Sequence, residues 1–381
     1  MQVPIRLAAA LSPSRSIGTL FALGYATVVF IATPFLISPI GEHYDVGLTV
    51  SSLIGVLQLA GFAVGSWGSG RWLSPTRSVL ISALGIAALA NAASASLPPL
   101  VLLLAARALG GIGLGAISWF AWSNAFGRSA SMSRVALVGP MIGVLATPAV
   151  ALLIDRQGMR ALFLVLAVLP SLPLLLSRTV ASTAPAERTG RNPALPTAKI
   201  VLASLTLFSL GGSAVYQFGV TIAATELGLT ASATAIGYTA NAIVSIPSAG
   251  WRGRRTIPSP WMALTGVSAF LVATAFSTPF FFAGVIAWGF FYWMAIPGVF
   301  DVLAAASAHP AERAGDAQAM MAIGRLIGPF FGGLLLDGPG SLVLGITACT
   351  LMIAAALAVF TVRNHVSPEP TLQIADHSQS S

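Results

Sequence analysis

The sequence predicts an all-α protein that crosses a membrane twelve times, in two groups of six helices. Three observations carry that expectation. Hydrophobic residues make up 56% of the 381 residues and charged residues only 8%, whereas soluble domains carry roughly 25% charge. The apolar residues fall into runs of about 20, the length that spans a bilayer as a helix. The 38 glycines and 24 prolines lie inside those runs, as they do in transmembrane helices and not in disordered linkers.

Taken in order, the runs cover 17–40, 47–69, 78–97, 99–124, 134–154, 159–178, 199–223, 231–249, 260–277, 279–303, 315–336 and 340–361. The short apolar piece before Arg15 is too short for a cleaved signal core, so the first run reads as an uncleaved span. Only the uncharged turns at Pro98-Pro99 and Thr278-Pro279 divide the third run from the fourth and the ninth from the tenth. Their combined lengths require two spans each. The polar stretch 179–198 then separates a first half, 1–178, from a second half, 199–363. It reads as a flexible linker, and 364–381 reads as a disordered tail.

A net charge of +8 could indicate nucleic acid, but the basic residues are scattered between apolar runs and form no patch. Placing the N-terminus in the cytoplasm puts fifteen of the 19 basic residues on the cytoplasmic side and only Arg156 and Arg160 outside. That bias sets both termini inside and an even number of spans. The expected location is the inner (plasma) membrane, with lipid as the surrounding partner and no nucleic acid. A monomer is expected.

Polar residues inside the runs are few and therefore informative. A charge in mid-span is costly and marks function by default; Arg107 in the fourth run and Arg325 in the eleventh are of this kind. The alternative for each is a bond that holds helices together. Asp301, near the end of the tenth run, is the best proton-carrier candidate, whereas Asp155 and Asp337 close the fifth and eleventh runs. Gln58, Asn91 and Asn241 fit interhelical hydrogen bonds better than ligand contacts. The lone Cys349 sits in an apolar run as an inert thiol. The four histidines, at 43, 309, 365 and 377, lie outside the runs, so no metal site is expected. The sequence shows no phosphate-binding loop and no nucleophile–base pairing; neither ATP hydrolysis, a cofactor nor an enzymatic activity is expected.

Two further patterns repeat or cluster. Gly139-Pro140 with Gly143 in the fifth run is echoed by Gly328-Pro329 with Gly332 in the eleventh, and the two runs end Leu152-Leu153-Ile154-Asp155 and Leu334-Leu335-Leu336-Asp337. In the fourth run, Arg107 is followed by Gly110, Gly111, Gly113 and Gly115, small residues that let a neighbouring helix approach closely.

Twelve spans in a six-plus-six order, a central linker, R-x-x-x-G-x-G-x-G from Arg107, G-P-x-x-G from Gly139 and D-R-x-G-x-R from Asp155 together resemble the major facilitator superfamily over nearly the whole chain. The loop after the second run, with Arg71 and Arg77, lacks the acid of the superfamily's pattern. The resemblance implies secondary transport of a small solute by alternating access. It implies that runs one, four, seven and ten line the central cavity. The substrate-facing residues would then be Tyr25 and Thr27, Arg107 and Trp119, Tyr216 and Gln217, and Trp288, Tyr292 and Trp293, with Arg325 added. Arg71, Asp301, Gly139, Pro140 and Gly143 would serve gating or proton coupling. The Gly139 motif resembles that of antiporters and so implies proton-coupled export, and Arg107 and Arg325, with few acids inside the runs and an aromatic-rich tenth run, point to an amphiphilic or aromatic, anionic solute. Proton-coupled uptake of an organic acid is the alternative; a transporter-like sensor or a membrane-embedded enzyme fits less well.

Overall fold

A computed structural model describes residues 17–123, 129–180, 193–250, 257–307 and 310–365. The described residues form helices and turns, with no strand among them. This is what a bilayer demands of an apolar chain, since a helix satisfies its backbone groups internally.

The helices are α1 (Ile17–Tyr44), α2 (Leu48–Trp72), α3 (Arg77–Ala95), α4 (Leu100–Ser123), α5 (Ser129–Val168), α6 (Ser171–Leu175), α7 (Pro196–Tyr216), α8 (Gly219–Leu227), α9 (Ala231–Gly250), α10 (Ser259–Thr274), α11 (Thr278–Ala305), α12 (Pro310–Asp337) and α13 (Ser341–His365). A 3-10 turn, Leu176–Thr179, follows α6. Among the described residues, nine helical segments are long and apolar enough to cross a membrane.

Three differences from the sequence expectation have physical causes. The fifth and sixth runs join as the two arms of α5, which turns at Gly158 (φ 74°, ψ −179°); this backbone region is essentially closed to residues with a Cβ. The seventh run is interrupted at Gln217 and Phe218, between α7 and α8. The ninth run is cut to the 16 residues of α10 because Ala275 turns left-handed (φ 43°, ψ 42°). Of the polar segments, 181–192 and 366–381 lie outside the described residues, as does the side chain of Arg71.

Large apolar side chains point outward as well as inward. Leu89, Val101, Leu145 and Leu175 are 71 to 78% exposed, and such a surface suits lipid rather than water. Inside, Phe120, Phe163, Phe208, Phe218 and Phe281 are fully buried.

Helices meet most closely where both backbones are bare. Along the α2–α4 crossing, a Cβ on Gly61 or Gly65 would strike the carbonyl of Ala108 or Ile112, and one on Gly111 or Gly115 would strike that of Gln58 or Phe62. Gly324, Gly328 and Gly332 of α12 lie in the same way on Thr206, Leu210 and Ala214 of α7. Four glycines of one seam thus interdigitate, which is the small-residue packing that substitutes for a hydrophobic drive inside lipid. Helix α2 also packs against α12, and α5 against α9. At the latter crossing a Cβ on Gly143 would sit 3.1 Å from that of Ala242.

Candidate functional site

The candidate polar residues gather in separate clusters, each built from several helices. The first surrounds Arg107, which is 2% exposed. Its Nη2 donates to the carbonyl of Ala90 (3.2 Å), Oδ1 of Asn91 (3.0 Å) and Oγ of Ser94 (2.8 Å), all on α3. Asn91 Nδ2 in turn donates to the Tyr25 hydroxyl on α1 at 2.9 Å. The guanidinium lies over the Phe163 ring, 5.0 Å from its centre, and its Nε is buried without a partner. A cation is therefore held between α1, α3, α4 and the second arm of α5 by neutral groups alone.

Arg325 of α12 anchors a second cluster. It donates from Nη2 to the Tyr292 hydroxyl of α11 at 2.7 Å, and Tyr292 stacks on Phe208 of α7 at 6.0 Å between ring centres. Arg325 is partly exposed, so donors remain free for an incoming acceptor. Neither arginine forms an ion pair with an acid among the described residues.

The third cluster is aromatic. Tyr216 meets Tyr238 edge-on at 5.1 Å and Trp288 at 5.7 Å, and the Tyr238 hydroxyl donates to the Tyr216 carbonyl at 3.3 Å. With Asn241, Val272 and Val285 they line a pocket closed too tightly to admit water. Next to it, where α7 gives way to α8, the Gln217 Nε2 is buried without a partner and faces Gly55 of α2. A roomier, apolar recess of about 300 Å³ runs along α7 between Lys199, Thr206, Leu210 and Met320.

No family model matches the sequence, and no curated protein is similar to it in sequence. Solved structures are similar in fold. The human organic anion transporter MFSD10 (TETRAN) superposes with a TM-score of 0.69 at 17% identity, covering 93% of this chain and 99% of that one. A POT family transporter in complex with a thioalcohol-conjugated peptide gives 0.70 at 14% identity, over 92% and 96%. A POT family transporter in complex with 5-aminolevulinic acid gives 0.71 at 13% identity, with the same coverage. The chain has the major facilitator fold.

Within this major facilitator fold the remaining sequence-derived residues are dispersed. Trp119 of α4 stands at the far end of the α2–α4 seam, where a Cβ on Gly70 would lie 3.3 Å from its Nε1. Asp301 is exposed near the end of α11, away from mid-helix. Pro140 is buried in α5 while Gly139 faces open space, so the close approach at that motif belongs to Gly143. The three neutral polar residues all bond between helices: Gln58 to Thr33 (3.1 Å), Asn91 to Tyr25, and Asn241 to the carbonyl of Val285 (2.7 Å).

Sequence reasoning missed Ser94, Phe163 and Tyr238. Ser94 stands three residues from Asn91, a helical neighbour on the same face, and that spacing was a usable signal. Phe163 carried none, because a phenylalanine in an apolar run is ordinary.

Proposed function

We propose that the protein is a secondary transporter that moves a small organic anion, aromatic or amphiphilic, across a membrane by alternating access. The observation that carries the reading is the pair of membrane-embedded arginines, each held by neutral partners only, within a fold similar to that of solved transporters over more than nine-tenths of the chain. An unbalanced intramembrane cation is expensive, and an anionic substrate is the partner that would offset that cost. Arg325, Tyr292 and Phe208 combine a charge, a hydroxyl and an aromatic face, a set suited to an aromatic carboxylate. The similar human protein is itself titled an organic anion transporter.

In this reading the chain forms twelve spans. The two arms of α5 count separately, and α9 and α10 join the nine longer segments. Residues 1–178 and 199–363 are the two halves, joined by 179–198. They rock about a site bounded by Tyr25 and Arg107 on one side and Tyr216, Gln217, Trp288, Tyr292 and Arg325 on the other, with Trp119 nearer one membrane face. Both termini are cytoplasmic in an inner or plasma membrane, and the transporter acts as a monomer. Helix α5 with Gly139, Pro140 and Gly143 bends during the cycle, with Arg71 and Asp301 on the cytoplasmic side as gating or proton-coupling groups. The Gly139 motif favours export in exchange for protons over coupled uptake.

The test is flux in proteoliposomes with a panel of radiolabelled aromatic carboxylates, their uncharged amides and their amine analogues, with and without a proton gradient. Selective movement of the carboxylates that is lost in Arg325→Gln supports the reading. Equal movement of amides and carboxylates overturns the anionic substrate, and a proton gradient without effect overturns the coupling.

A further inference from the structure

At the end of the bundle that holds the α1–α2 turn, two aspartates do the same thing in two places. Asp337, the last residue of α12, accepts from the backbone of α2: Oδ1 from Leu48 N–H at 3.1 Å and Oδ2 from Thr49 N–H at 2.8 Å, with the Thr49 hydroxyl at 2.5 Å. Asp155, in the first arm of α5, accepts through Oδ2 from Ser232 N–H in the first turn of α9 at 2.8 Å. Helix starts leave backbone donors unpaired and carry positive partial charge, so a carboxylate there satisfies both.

These caps are unusual in where they come from. The cap position of α2 is Gly47, which has no side chain to offer, and the missing acceptor arrives from a helix almost 290 residues later. Gly333 lets α12 lie directly on the Thr49 backbone. Helix α9 already has a local cap, Thr230 Oγ1 accepting from Ala233 N–H at 3.1 Å, and Asp155 adds one from a distant helix. Two more contacts close the same end: Ser38 Oγ lies 2.9 Å from Thr221 Oγ1, and Phe35 meets Tyr238 at 6.2 Å.

We propose that Asp155 and Asp337 are paired latches that hold this end shut, each gripping the first turn of a helix in the opposite half, and that both must let go before the site opens there. The proposal rests on the alternating-access reading above. The symmetry is in the sequence too: both aspartates terminate the echoed runs Leu152–Asp155 and Leu334–Asp337. Helix α5 latches α9, and α12 latches α2, so the first half supplies one acid and the second half the other. Each latch is a side-chain tip on a helix end, and its helix pair also makes a close approach, Gly333 on Thr49 for Asp337 and Gly143 on Ala242 for Asp155.

The test is a distance measurement between spin labels at Glu42→Cys and Glu226→Cys, exposed positions on α1 and α8 at this end, with Cys349→Ala, in lipid bilayers without added solute. Removing a helix cap typically costs a factor of about five in the equilibrium it supports. Asp155→Ala and Asp337→Ala should therefore each raise the ratio of long to short distances about fivefold, and together about 25-fold. Asp→Asn at both sites, which keeps one acceptor, should give a smaller rise. Thr230→Ala, which removes the local cap of α9, should lower the melting temperature without lengthening the distance.

If the double alanine variant does not fold, the asparagine pair is read by the same criterion. A distance distribution unchanged by the double substitution, or moved equally by Thr230→Ala, overturns the latch while leaving transport to be judged by flux. A responsive distance with no flux of any solute sustains the latch and removes the transport reading.

Discussion

Replacing Arg107 with methionine separates holding helices together from handling a substrate. Methionine matches the length of the arginine stem and removes its charge. The loss comprises the bonds of one nitrogen, whose two N–H groups are shared among three acceptors at 2.8 to 3.2 Å, and the contact with Phe163. Interhelical bonds in membrane proteins average about 0.6 kcal/mol, so the shared bonds amount to about 1–2 kcal/mol, and the ring contact adds about 1 kcal/mol. Against this stands the cost of an arginine in mid-span, about 2.5–3.5 kcal/mol, which methionine does not incur. The two sums cancel within error. Arg107→Met should therefore melt within about 4 °C of the parent in detergent. An arginine–anion contact of about 1.5–3 kcal/mol implies that flux of an organic anion at low concentration should fall about 10- to 100-fold. Arg107→Lys should recover part of that flux. A variant that melts more than about 10 °C lower, or one that transports as the parent does, would refute the reasoning: the first makes Arg107 a brace, the second a bystander.

Three further outcomes follow from the packing. Gly111→Ala drives a Cβ into the Gln58 carbonyl, so stability should drop by about 1–3 kcal/mol, whereas Gly85→Ala, with nothing within 4 Å, should be neutral by the same melting assay. Gly158→Ala forces a Cβ onto φ 74°, ψ −179° and should cost about 1–3 kcal/mol, read as a lower melting temperature with the helical circular dichroism signal retained. Tyr292→Phe deletes the 2.7 Å bond that orients Arg325 and leaves the ring stacked on Phe208; KM for an anionic solute should rise about three- to tenfold with maximal flux little changed, and an unchanged KM would detach Tyr292 from the site.

Much of the architecture was legible because lipid removes choices. Among the described residues, the apolar runs fall in helices in chain order, and nine of those helical segments are long and apolar enough to cross a membrane, because a bilayer fixes both run length and backbone bonding. The glycines after Arg107 announced a close helix approach, and the α2–α4 seam is that approach. What the sequence could not show was the partner of each polar residue. Arg107 looked like a cavity residue, yet its donors turn to Asn91 and Ser94 on α3, because rotation of a helix about its axis is set by packing that no single run encodes. The break between α7 and α8 was equally hidden, since Gln217 and Phe218 carry no glycine or proline signal of their own. Tyr216, Tyr238 and Trp288 come from three runs, and only the tertiary fold brings them edge to edge.

The contacts differ in kind according to where they lie, and that difference bears on how such a bundle could move. Helix α2 is gripped by α4 along four glycines, backbone against backbone, and α12 is gripped in the same manner by α7. Where α2 meets α12, the side chain of Asp337 bonds the first turn of α2 and Gly333 approaches Thr49. Where α5 meets α9, Asp155 bonds the first turn of α9 and Gly143 approaches Ala242. Parting a glycine seam exposes carbonyls packed against a neighbouring backbone and loses many close contacts together. Parting a carboxylate from a helix start costs one cap, which water replaces at once at a membrane face. A motion that divides the bundle would therefore run between α2 and α12 and between α5 and α9, leaving the seams closed. Gly143, bare toward Ala242 and one turn beyond buried Pro140, stands on that dividing surface.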